Sequence, residues 1–252
     1  MIAELKGCHL KTVQNYLVRY DIPRRSVHKY IKRPFSGDPL EKAYLIGFGV
    51  GDLCVHRANY SKTSKTVIAA CTSTVPEQIE LVRMLFEEYG GVNLSVGKQQ
   101  TVITCYLDRS FNFLLEREDR IVDWITADQE CFAAYLAGYI DAEGCIQLKR
   151  QTRAFEVVIR SYDVNILRTC WAALQKLGVV CPPVYLVKRQ GERDGNGPLY
   201  HQDYWGLGIY RQLSLARLFE LIAPHLKHPK RRQDMLMAWK NVEARMGRSN
   251  GG

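Results

Sequence analysis

Two acids stand at the ends of two copies of one pattern. Tyr44-Leu45-Ile46-Gly47-Phe48-Gly49-Val50-Gly51-Asp52 and Tyr135-Leu136-Ala137-Gly138-Tyr139-Ile140-Asp141-Ala142-Glu143-Gly144 both read Tyr-Leu-x-Gly-aromatic and reach an acid at the same place, so that Asp52 and Glu143 are 91 residues apart. Gly47 and Gly51 are four apart, as are Gly138 and Ala142. That spacing puts each pair on one face of a helix. Glycine within a helix costs about 1 kcal/mol relative to alanine and so needs a packing reason. Small residues on facing stripes let two helix backbones approach closely. Helices over 41–51 and 132–142, packed by those stripes, would bring Asp52 and Glu143 together at their C-terminal ends. The negative end of the helix dipole is a poor place for an acid, and a poor placement that occurs twice argues for use. Two adjacent carboxylates repel, which raises a pKa unless a cation lies between them. Carboxylates, water and phosphate oxygens are the ligand set of Mg²⁺, and metals held by clustered acids suit in-line hydrolysis of a phosphodiester.

The elements that would position these acids also repeat. Each acid is followed by two strands, at 54–60 and 66–72 and then at 145–151 and 155–160. An amphipathic helix ending in glycine comes next, Glu77 to Tyr89 before Gly90 and Val164 to Leu177 before Gly178. A second strand pair follows, at 92–98 and 101–107 and at 183–190 and 203–210, and a helix closes each unit. Residues 116–130, with six acids against Arg117 and Arg120, form the connector.

The two segments resemble the LAGLIDADG motif of homing endonucleases. The copy at 136–144 is the nearer; the copy at 45–53 keeps Leu45, Gly47 and Asp52 but has Val50 and Leu53 where an acid and a glycine are usual. The resemblance covers roughly residues 40–248. It implies an α+β fold of two pseudo-symmetric halves, each αββαββα, whose saddle-shaped antiparallel sheets lie on duplex DNA. The halves would span 37–127 and 128–252, after an N-terminal segment at 1–36. The resemblance further implies a monomeric, site-specific DNA endonuclease acting on a long pseudo-palindromic target. It would leave short 3′ overhangs and come from an intron- or intein-borne element. Asp52 and Glu143, with the carbonyls of Gly51 and Ala142, would hold Mg²⁺, for which Ca²⁺ or Mn²⁺ could substitute, one acid serving each strand. The family also places a lysine before the last helix, and Lys230 is the best match; it would orient water or stabilise developing charge, or simply clamp a phosphate. His225 and His228 lack the further ligands that a metal site needs.

The strand pairs supply candidates for reading DNA, since a two-stranded ribbon fits the major groove. By the period of two, Gln147, Lys149 and Gln151 point away from Ile146 and Leu148. His56, Arg57 and Asn59, then Lys98, Gln99 and Gln100, then Lys188, Arg189 and Gln190 are similar candidates. Lys62, Lys65 and Arg153 lie at turns and suit phosphates. Each of these residues could equally belong to a solvated strand face.

The charge balance agrees with a polyanionic partner. The net charge is +9 over 252 residues, and it is concentrated at the ends: residues 1–36 carry eight Lys/Arg against two acids and residues 224–252 seven against two. Residues 1–33 read as helices broken near Gly7-Cys8-His9, with Ile2 and Leu5 in the first and Leu10, Val13, Tyr16 and Leu17 on one face of the second. This is a helix-turn-helix-like unit with Lys11, Gln14, Asn15 and Arg19 on its polar side, or a plain helical hairpin. Arg24, Arg25, Lys29, Lys32 and Arg33 follow as a basic tail.

A composition of 46% apolar and 24% charged residues is that of a soluble globular protein. No apolar run reaches the ~20 residues that span a bilayer, and the first residues have no signal-peptide layout. The eight cysteines have no C-x-x-C spacing, so a zinc site is not expected. Cys54, Cys71, Cys105 and Cys170 read as small core residues of a protein in the reducing cytosol, or in an organellar matrix or stroma. Two other readings use the same fold. One is an RNA maturase that aids intron splicing; the other is a transcription regulator in which a degenerate endonuclease body is coupled to the helical unit. Retention of both acids favours cleavage.

Overall fold

The computed structural model describes residues 7, 9–20, 31–60, 62–116, 118–195 and 197–249. The chain divides into two compact units, Met1–Ile31 and Lys32–Gly252. Within the first unit the described element is α1 (Leu10–Arg19). His9 caps it, its Nδ1 accepting from the Lys11 N–H at 3.3 Å. Lys11, Asn15 and Arg19 are exposed. The expected first helix around Ile2 and Leu5, and the basic residues Arg24, Arg25 and Lys29, lie outside the described residues. Helix does not extend to residue 33 as the sequence suggests: residues 31–38 are irregular. There the Arg33 N–H donates to the Tyr89 carbonyl at 2.8 Å, and Phe35 packs its ring edge-on against Phe111 and Phe113. Residues 32–36 therefore belong to the second unit rather than to an N-terminal appendage.

The second unit gives one arrangement twice. Its first half runs α2 (Pro39–Asp52), β1 (Cys54–Arg57), β2 (Thr66–Ser73), α3 (Pro76–Phe86), β3 (Gly91–Val96) and β4 (Thr101–Asp108). After the short α4 (Asp123–Ala127), the second half runs α5 (Gln129–Glu143), β5 (Gly144–Lys149), β6 (Ala154–Ser161), α6 (Val164–Lys176), β7 (Tyr185–Lys188), β8 (Tyr204–Ile209) and α7 (Gln212–Ile222). The chain then enters α8 (Pro229–Ser249). The sheets have the same antiparallel order, β1-β2-β4-β3 and β5-β6-β8-β7. This is the α+β architecture that the repeat implies. The halves close differently, however: the first by a 3-10 turn at Arg109–Leu114 and the five-residue α4, the second by two full helices.

Local chemistry sets these boundaries. Asp38 caps α2 by accepting from the Leu40 N–H at 2.9 Å, with proline at the helix start, and Asp128 caps α5 by accepting from the Cys131 N–H at 2.8 Å. Along β2 and β4, Val67, Ala69, Ile103, Cys105 and Leu107 are fully buried at every second position, so one face of the sheet packs on helices and the other is open.

The centre of the core is the α2–α5 pair, and it is close because of its small residues. A Cβ on Gly47 would overlap the Tyr135 carbonyl, and one on Gly138 would overlap that of Tyr44. One on Gly51 would come within 2.6 Å of the Ala142 Cβ. Eleven residues of α5 are buried, a helix apolar on nearly every side because it is enclosed on nearly every side. Among the described residues no helix is long and apolar enough to cross a membrane.

Candidate active site

Asp52 and Glu143 are the last residues of α2 and α5. The glycine contacts fix how those ends meet: a Cβ on Gly51 would lie 2.8 Å from the Glu143 Cγ and 3.5 Å from its Oε1. Both acids are held in a state that resists charge. Burial pushes the Asp52 carboxyl up to about 6, against the opposing pull of Arg231 and of a hydrogen bond from Gln78. Glu143 is pushed up to about 7 by burial, then by Asp52 and Asp163.

The partners of the two acids come from remote parts of the chain. Gln78, on the first turn of α3, is 8% exposed and donates to Asp52. Arg231, on the first turn of α8, belongs to the second half yet acts on the first half's acid. Its Nε is buried with no hydrogen-bond partner, and its Nη1 lies 4.0 Å from the Asp234 Oδ2. Asp141, two residues before Glu143 and 1% exposed, anchors the start of α8. Its Oδ2 accepts from the Tyr44 hydroxyl at 2.7 Å and from the Lys227 and His228 N–H groups at 2.8 and 3.0 Å. In the first copy Val50 stands at this place, and that half has no long closing helix to anchor.

Lys230 stands beside an acid of its own helix. Its ammonium lies 2.6 Å from the Asp234 carboxylate, at i+4 on the exposed side of α8. The cation that bears on Asp52 is Arg231, one residue later. Nothing in the sequence marks Gln78, whereas Arg231 stands inside a basic run whose members the sequence does not tell apart. His228 is 3% exposed, with its pKa lowered by burial and by Arg231; its Nδ1 accepts from the Lys230 N–H at 3.2 Å, so it acts as a helix cap.

The candidate DNA readers fall into three groups. His56 and Arg57 lie on β1, as the alternation predicts. Others lie beyond the strands where the sequence put them. β1 ends at Arg57, and Asn59 takes a left-handed φ of 54° in a 3-10 turn, a conformation asparagine tolerates. β3 ends at Val96, so Lys98 joins Gln99 and Gln100, expected between the strands, in the exposed turn to β4; β5 ends at Lys149, leaving Gln151 in a turn with Arg153; β7 ends at Lys188, before Arg189 and Gln190. Lys62 and Lys65 are exposed between β1 and β2. The third group is engaged within the protein. The buried Glu156 accepts from Gln147 at 2.8 Å and pairs with Lys149 at 2.7 Å, and Lys188 pairs with Asp194 at 2.7 Å. Cys54 is exposed, unlike the other three cysteines assigned to the core.

A pair of half-buried carboxylates with hard oxygen donors fits a divalent cation. Only two acids converge, because among the described residues no group of three or more His, Cys, Asp or Glu could hold a metal. Backbone supplies more oxygen: the last carbonyls of each helix, including those of Gly51 and Ala142, have no partner within the helix.

Residues 130–223 match the family model of the LAGLIDADG-like domain. No curated protein matches the chain in sequence. Among solved structures, a mesophilic variant of the homing endonuclease I-DmoI is 15% identical, covers 79% of this chain and 98% of its own, and superposes with a TM-score of 0.54. The homing endonuclease I-WcaI, bound to its DNA recognition sequence, is 15% identical over 92% and 96%, also with a TM-score of 0.54. Full-length DUF199/WhiA from Thermatoga maritima is 12% identical over 84% and 63%, with a TM-score of 0.52. I-DmoI has been solved in complex with DNA and Mn, and with DNA and Ca. These likenesses establish the fold: both halves of this chain have the two-domain LAGLIDADG homing-endonuclease architecture, including the divergent half that the family model does not reach.

Proposed function

We propose that this protein is a site-specific, divalent-metal-dependent DNA endonuclease that acts as a single chain. The observation that carries this reading is the convergence of Asp52 and Glu143 at the ends of two backbone-packed helices, half-buried and mutually repelling. The structural neighbours that share this fold include homing endonucleases solved with DNA.

Asp52, Glu143 and the carbonyls of Gly51 and Ala142 would hold the metal. Mg²⁺ bound there supplies charge for the attacking and leaving oxygens of a scissile phosphate. The protein's own groups do the rest. Gln78 fixes the orientation of the Asp52 carboxylate. Arg231 offsets its charge and presents an unsatisfied Nε donor near the reaction centre. His56 and Arg57 on β1, with Lys98, Gln99 and Gln100 in the turn after β3, contact base edges and phosphates, and Lys62, Lys65, Arg153, Arg189 and Gln190 extend that contact. Gln147, Lys149 and Lys188 would reach DNA by exchanging an internal partner for it. Both strands are cut, leaving short 3′ overhangs on a pseudo-palindromic target.

The test is cleavage of a randomised plasmid library with Mg²⁺, against Ca²⁺ as a binding-only control. Asp52→Asn and Glu143→Gln are expected to abolish cutting while duplex binding persists. Cleavage at no site, or undiminished cleavage in both variants, overturns the reading.

A further inference from the structure

Glu143 also lines a cavity of about 360 Å³ on the side of β6 and β8. Three tyrosines form its wall. Tyr162 follows β6, Tyr204 opens β8, and Tyr200 ends the long loop between β7 and β8. The Tyr204 ring lies 4.9 Å from Tyr162 at 46° and 5.5 Å from Tyr200 at 32°, so the rings splay rather than stack and leave faces open. Tyr162 is 48% exposed.

The loop is built, not loose. The Gly191 N–H donates to the Tyr200 carbonyl at 2.8 Å, and the Tyr200 N–H donates to the Glu192 carbonyl at 2.9 Å. The Tyr200 hydroxyl donates to Asp194 at 2.7 Å, and Lys188 neutralises that acid. Arg160, exposed on β6, acts on both Asp194 and Tyr204. The wall therefore combines aromatic faces and carboxylate acceptors around a space of small-ligand size, with Arg160 close by.

The matching place in the first half is built from other residues. The strand pair that ends Ser161↔Trp205 in the second sheet ends Ser73↔Thr101 in the first. The residues flanking that last pair are Tyr162 and Tyr204 in one sheet and Thr74 and Gln100 in the other.

We propose that this cavity takes one nucleotide of the bound DNA, unstacked from the duplex, with its base on Tyr162 and Tyr204 and its phosphate toward Arg160. The inference rests on the reading of Glu143 as a DNA-cutting acid. A tyrosine face suits any base, the carboxylates accept from exocyclic amines, and a duplex is too wide to enter. Because the matching place in the first half holds Thr74 and Gln100 rather than two tyrosines, one strand is distorted and the other is not.

The test uses the full chain with Ca²⁺ and a duplex enriched from a random library by binding. Single mismatches are then scanned across its centre. A mismatch removes part of the unpairing cost at an extruded position and weakens contacts elsewhere. Binding is expected to tighten about tenfold for a mismatch at one position, and to weaken or stay level at the others. Tyr162→Ala and Tyr204→Ala should remove that gain, and Tyr204→Phe should keep it. Tyr162 is half exposed, so its alanine variant keeps the fold, checked by a circular-dichroism melt. If no mismatch tightens binding, or the gain survives both alanine variants, the proposal falls, while Mg²⁺ cleavage of the same duplex still decides the endonuclease reading. If no duplex is enriched at all, both fall.

Discussion

Asp52 has a pKa raised by its surroundings to about 6, above the ordinary 3.8. Between those values the folded state binds a proton that the unfolded state does not, so stability falls as pH rises through that window and stays lowered above it. Asp52→Asn is therefore expected to stabilise the metal-free protein at pH 7.5 by roughly 1–3 kcal/mol and to abolish cleavage. The stabilisation should vanish below about pH 4, where both states are protonated. Urea unfolding at the two pH values measures it; equal effects at both would refute the assignment. Mg²⁺ should raise the melting temperature of the wild type but not of Asp52→Asn/Glu143→Gln, since only the former binds it in the native state. Arg231→Met removes the cation that eases Asp52 toward ionisation. It should slow cutting at one strand by about 100-fold, with nicked plasmid accumulating on a gel; Arg231→Lys should recover part of the rate. The acids were legible in the sequence because helix periodicity and paired small residues are local signals. Gln78 and Arg231 were not, because each meets Asp52 only through the packing of a separate helix.

The α2–α5 pair shows how an element can be both core and instrument. Gly47 and Gly138 each face a carbonyl of the partner helix, so a methyl group at either site forces the backbones apart. Gly138→Ala should destabilise by about 3 kcal/mol or more in chemical denaturation. Any protein that still folds should cut more slowly than it binds, because the spacing of the acids follows the spacing of the helices. Strand order and pairing were also readable, from alternation and turn residues. Strand ends were less so, because polar residues such as Asn59, Gln100 and Gln151 continue the alternation past the last paired residue. Internal pairing was invisible altogether. Glu156 sits directly opposite Gln147 in the sheet, a register that requires knowing the turn between β5 and β6.

At the scale of the molecule, the compact unit starts at Lys32 and not after residue 36. Deleting residues 1–31 is expected to leave the melting temperature of the remainder unchanged, whereas deleting 1–36 removes Phe35 from its aromatic contacts and should cost about 2 kcal/mol. The shorter deletion should still weaken DNA binding and flatten its dependence on salt, since the lost segment carries much of the basic excess. An unchanged salt slope would count against a DNA-contacting role for that segment.

The last helix has a consequence for how such a chain can be taken apart. Asp141 pins the start of α8, and α8 carries Arg231 across to Asp52. The two halves are thus not interchangeable modules, whatever their matching topology. A chimera that keeps residues 32–127 and takes its second half from another protein would inherit an acid without its counter-charge. Two copies of the first half would lack that cation altogether. The fold repeats, but the surroundings of Asp52 are divided between the halves, and recombination at the connector would undo that division.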